Sequence, residues 1–61
     1  MYTKYANIRD RKKMTDYQVS KISGVSTATL SNWKNGNYKP KYDKLKSIAD
    51  ALEIPVTEFL E

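Results

Sequence analysis

Sixty-one residues carrying a net charge of +4 and a pI near 9.4 make one small domain at most. With no cysteine and no histidine, neither a disulfide framework nor a Cys/His zinc site can brace the chain. A chain this small buries only about 60% of its unfolded surface, so one well-packed core must hold it, with dimerisation as the available supplement.

Taken in order, Thr3 to Lys12 reads as a first helix, with Tyr5, Ile8 and the stem of Lys12 on one face. Arg9, Arg11, Lys12 and Lys13 crowd its C-terminal end, where cations complement the helix dipole. Met14 is expected to pack under the start of the next helix.

Thr15 to Gly36 is the stretch that organises the chain. Thr15 and Gln18 form a T-x-x-Q capping box. Val19 and Ile22 supply apolar positions at i and i+3, and Gly24 ends the helix in the left-handed conformation open to glycine. Val25 plugs the gap, and Ser26 caps a second helix with Leu30 and Trp33 facing inward. Asn35-Gly36 stops it. Two short helices with a glycine turn between them have the spacing of a helix-turn-helix. The outer face of the second carries Thr27, Ala28, Thr29, Ser31 and Asn32, short side chains that let a helix lie close to another surface.

Asn35 to Lys41 is the one real loop, with Asn, Gly and Pro setting its turns. Tyr42 to Leu52 is the longest helical pattern, with Tyr42, Leu45, Ile48, Ala49 and Leu52 in an apolar stripe. After a break at Glu53-Ile54-Pro55, Pro55 suits the first turn of a last helix, where Val56, Phe59 and Leu60 offer apolar surface. The expected core is Tyr5, Ile8, Val19, Ile22, Val25, Leu30, Trp33, Leu45, Ile48, Ala49, Leu52, Ile54 and Phe59. The reading is an all-α, five-helix domain over residues 1–61 with its motif at 15–36.

Charge is unevenly placed. Met1 to Lys46 holds eleven basic and three acidic residues, whereas Ser47 to Glu61 holds four acids and no base. A basic front and an acidic tail point one end toward a polyanion. No apolar run approaches the roughly 18 residues of a membrane span, and no signal-peptide segment follows Met1. No membrane partner, small-molecule ligand, metal or other cofactor is expected. The lack of cysteine fits a reducing, cytoplasmic location.

The stretches MTDYQVSKISGVSTATLSNWKNG and KPKYDKLKSIADALEIPVTEFL resemble the Cro/cI-type, or XRE, helix-turn-helix regulators of phage and bacteria. Arg9, Met14, Thr15, Gly24, Val25, Ser26, Leu30, Ser31, Trp33, Gly36, Pro40, Leu45, Ile48, Ala49, Ala51, Leu52 and Phe59 fall in the family's positions. The resemblance implies a compact, lambda-repressor-like domain that binds palindromic operator DNA as a homodimer, its second motif helix (about 27–35) in the major groove. Carried over by position, Thr27, Ala28, Thr29 and Asn32 would face bases, Asn32 bonding adenine and Ala28 touching a thymine methyl. Thr15, Tyr17, Ser26, Lys34, Asn35, Asn37, Lys39 and Lys41 would approach phosphates, and Ile54, Val56 and Phe59 would form the dimer interface.

Three positions depart from the family pattern. Asp16 stands where Gln usually contacts phosphate, and its carboxylate would repel DNA. Lys34 stands where many relatives pair a Glu with the arginine at position 9, so Arg9 is left to pair with Asp10 or DNA. Ser23 replaces an apolar residue, implying looser packing of the first motif helix.

The function expected is a DNA-binding transcriptional regulator, most simply a repressor acting by occlusion. The alternative is a protein-interaction module, antitoxin-like or anti-regulator, built on the same fold. The sequence lacks the apparatus of an enzyme: acids are scattered, Ser and Thr have no adjacent base, and the two glycines form no phosphate-cradling motif.

Overall fold

The computed structural model describes residues 1–60. It contains α1 (Tyr2–Arg11), α2 (Asp16–Ser23), α3 (Thr27–Lys34), α4 (Tyr42–Ala51) and a short 3-10 helix (Val56–Phe59). Four α-helices and one tight turn of helix thus stand where five helices were expected. Pro55 has an extended ψ of 143° and caps the last element rather than joining it, leaving four residues, about one turn. Glu61, the last acid of the tail, lies outside the described residues.

The local signals at the motif act as anticipated. The Thr15 hydroxyl accepts the Gln18 N–H at 3.2 Å, and the Gln18 side chain accepts the Thr15 N–H at 2.9 Å. Gly24 closes α2 at φ 80°, with its N–H bonded to the Ser20 carbonyl. The Ser26 hydroxyl accepts the Thr29 N–H at 3.1 Å and starts α3. Gly36, also at φ 80°, ends α3 with paired bonds, Gly36 N–H to Trp33 O and Asn37 N–H to Asn32 O.

The same paired closure ends α1 and α4 without glycine. Lys13 (φ 56°) and Glu53 (φ 58°) take the left-handed position. Their N–H groups bond to Asp10 O and Asp50 O, and the following residues bond back to Arg9 O and Ala49 O.

Tyr5, Ile8, Val19, Val25, Leu30, Trp33, Leu45, Ile48, Ala49, Ala51, Leu52 and Phe59 form the buried core. Each large aliphatic there contributes about 1.5–3 kcal/mol by leaving water. Met14 packs against this core at the entry to α2, as expected. Two expected core positions, Ile22 and Ile54, and one residue of the apolar stripe of α4, Tyr42, differ. Ile22 is 63% exposed, because α2 turns Val19, with half-buried Ser20 and Ser23, toward its neighbours instead. Tyr42 is exposed at the first turn of α4, and Ile54 is only half-buried. Ser23 has a local role: its hydroxyl accepts the Val25 N–H at 3.1 Å and steadies the turn between α2 and α3.

Candidate nucleic-acid interface

The position of α3 follows from its two sides. Leu30 and Trp33 are buried, and with about 3.6 residues per turn Thr27, Ala28, Ser31 and Asn32 fall on the opposite side. All four are exposed. The buried side rests on α1, where Trp33 meets Tyr2 edge-on at 5.4 Å and Tyr5 at 5.2 Å between ring centroids. A helix held from behind by aromatic rings, its outer face free of bulky or branched apolar side chains, can enter a groove as a rigid rod.

The same two tyrosines hold α2. The Tyr5 hydroxyl donates to Asp16 at 2.6 Å and the Tyr2 hydroxyl at 3.3 Å. Arg9 donates to Asp16 at 2.6 Å and to Asp10 at 3.0 and 3.1 Å, and its guanidinium lies 5.5 Å from the Tyr5 ring centre. Burial works to raise the Asp16 carboxyl, but the bonds from Tyr5 and Arg9 and the Arg9 charge hold it below the ordinary aspartate range. Burial likewise opposes the charge on Arg9, and its bonds to Asp16, Asp10 and Tyr2 outweigh that and keep it protonated. Burial, then the bond to Asp16, push the Tyr5 hydroxyl above the usual tyrosine range.

Asp10 or DNA was expected to satisfy Arg9; Asp10 does so together with Asp16. The signal was present in the sequence, since Tyr2, Tyr5 and Arg9 are spaced i, i+3, i+7 along one face of α1. The acid at the mouth of α2 is therefore neutralised within the fold.

The remaining expected contacts are distributed as follows. Thr15, Tyr17, Ser26, Lys34, Asn35, Asn37, Lys39 and Lys41 are all exposed. They lie on the first turn of α2, the two ends of α3 and the loop that follows. The hydroxyl of Thr15 accepts the capping bond and keeps its own proton to donate. Tyr17 stacks with Lys21, whose ammonium is 5.2 Å from the ring centre. Thr29 is half-buried and its hydroxyl is 2.8 Å from that of Ser26, so it is engaged at the start of α3. Phe59 is 2% exposed and sits in the core, which removes it from any surface between copies. Val56 and Ile54 are half-buried, and Leu60 is 55% exposed.

The helix-turn-helix family matches residues 6–59. The chain belongs to this family, in its XRE branch. It is also similar to the HTH-type transcriptional repressor RghR of Bacillus subtilis (strain 168), 41% identical over 49 residues. That match takes in 79% of this chain and 36% of the relative, so the chain spans about a third of the protein it resembles. No solved structure matches it.

Membership makes this helix-turn-helix domain a DNA-binding regulatory module, with α3 as the second motif helix. Lys34 stands exposed at the end of α3, and Arg9 turns to Asp16 at 2.6 Å, so the carboxylate beside the start of α2 is paired within the fold. Among the described residues, no helix is long and apolar enough to cross a membrane.

Proposed function

We propose that this chain is a sequence-specific transcriptional repressor that binds a palindromic operator as a homodimer and blocks access by occupancy. The observation that carries the reading is α3, buried at Leu30 and Trp33 and open at Thr27, Ala28, Ser31 and Asn32. In this arrangement α3 enters the major groove. Thr15, Tyr17 and Ser26 meet phosphates before it, and Lys34, Asn35, Asn37, Lys39 and Lys41 meet phosphates after it. The helix N-terminus of α2 adds its dipole to the Thr15 contact. The name of the Bacillus relative supports repression rather than activation.

Size supports the dimer. The domain measures 24 × 23 × 19 Å, whereas successive major grooves on one face of DNA are about 34 Å apart. One copy reaches one half-site, and two copies reach two. Leu60, Val56 and Ile54 supply the apolar surface between copies. Such a protein works in the cytoplasm, where bacterial and phage DNA lie.

The test is selection of duplexes from a random pool by the purified chain, followed by sequencing. The expected result is a palindrome with half-site centres about 10 base pairs apart. The apparent affinity should fall steeply with salt. No enrichment above a salt-sensitive background overturns the repressor reading and moves the search to protein partners.

A further inference from the structure

We infer that the reading face of α3 selects A·T pairs, so that the centre of each operator half-site is read through thymine methyls and adenine edges and not through guanine. The inference rests on the DNA-reading role proposed above and adds the class of sequence.

Guanine is most often recognised in the major groove by Arg or Lys bonding its O6 and N7 together. α3 contains no arginine, and its one lysine, Lys34, is the last residue of the helix. A recognition helix presents the residues of its N-terminal part to base edges. Those are Thr27, Ala28, Ser31 and Asn32, and none carries a charge. The side chains that remain have a definite preference. Ala28 lies at the middle of the exposed side, opposite the gap between Leu30 and Trp33, and ends in a bare methyl. A methyl at the point of closest approach gains by meeting the thymine C5-methyl and loses by meeting the polar edges of a G·C pair. Asn32, one turn further, carries a donor and an acceptor together, the pattern that matches adenine N7 and N6. Thr27 contributes a second methyl and a hydroxyl.

Two structural facts keep these groups free to read. The Asn32 backbone carbonyl, not its side chain, accepts the closing bond from Asn37 at 2.9 Å. The hydroxyl that is engaged at the start of α3 is that of Thr29, bonded to Ser26, which leaves Thr27 outside that pair.

The test uses the duplex that the 61-residue chain enriches from a random pool, with single bases altered chemically. Replacing the contacted thymine by uracil removes one methyl and should weaken binding about fourfold. Replacing the contacted adenine by 7-deazaadenine removes the N7 acceptor and should weaken it about tenfold. Ala28→Gly should abolish the uracil effect and Asn32→Ala the deaza effect; comparing each variant on both duplexes cancels any cost to the helix. The base replacements with the unaltered protein decide the matter even where a variant folds poorly. A G·C-centred consensus, or a consensus indifferent to both replacements, overturns the inference while leaving sequence-specific binding intact. Failure to enrich any duplex overturns both.

Discussion

The guanidinium of Arg9 donates to the carboxylate of Asp16 at 2.6 Å, and this pair fastens α1 to the first turn of α2. Asp16 also accepts from Tyr5 at 2.6 Å and from Tyr2 at 3.3 Å, and asparagine keeps one acceptor oxygen but loses the second and the charge that pairs with Arg9. Asp16→Asn should destabilise the domain by about 1–3 kcal/mol, read as a shift in the urea midpoint at pH 7. An unchanged midpoint would show that the pair is decorative. The same variant leaves the Arg9 cation without its Asp16 counter-charge, beside the end of α2 that the proposed function turns toward phosphate. Its DNA affinity per folded molecule should therefore rise and its salt dependence steepen.

Acid should undo the same link. The folded carboxyl of Asp16 sits below its unfolded value near 3.9. Its contribution is complete above that value and is lost as pH falls through the lower folded one. Wild type and Asp16→Asn should thus differ most at neutral pH and draw together as pH falls below the unfolded value near 3.9. Equal differences at pH 7 and pH 2.5 would refute the account.

Glu53 at φ 58° pays a steric cost that glycine escapes. Glu53→Gly should stabilise the domain by about 0.5–1 kcal/mol, a rise of several degrees in Tm for a domain this small. The reverse exchange at the end of α2 should cost stability. A side chain at Gly24 would meet no atom within 4 Å, so Gly24→Ala tests backbone strain at φ 80° alone. The expected loss is about 1–2 kcal/mol.

Phe59 and Leu60 are neighbours with opposite roles. Phe59→Ala should cost about 3–5 kcal/mol of protomer stability, since the ring is fully enclosed. Leu60→Glu should leave the fold intact while weakening self-association on DNA. Sedimentation of both variants, with circular dichroism, separates them. A folded, fully dimeric Leu60→Glu protein would remove this surface from the dimer.

What could be read from the sequence was local chemistry. The Thr15–Gln18 box, the Ser26 cap and the left-handed Gly24 and Gly36 are each fixed by residues a few positions apart, and each is present as expected. Ile22 faces outward because i+3 and i+4 are both neighbours on a helix, and Val19 shares its inner side with Ser23 instead. The partner helices decide between them, and Ser23 faces inward. The left-handed Lys13 and Glu53 carry no residue signature, because the paired closing bonds impose a conformation that the side chain disfavours. The final turn of helix was expected to be longer because Val56, Phe59 and Leu60 repeat at helical spacing. The Arg9–Asp16 pair is not local in sequence: the charge closest to Asp16 lies seven residues back, on α1.

The outer side chains of α3 make no hydrogen bond to the rest of the described chain, whereas its inner side is locked by Leu30, Trp33 and the tyrosines behind it. Address and scaffold are therefore written in separate residues. Thr27, Ala28, Ser31 and Asn32 can be exchanged for other helix-compatible side chains with little effect on folding, and under the proposed function a lineage built on this chain would acquire new operators by rewriting four positions while the body that carries them stays the same.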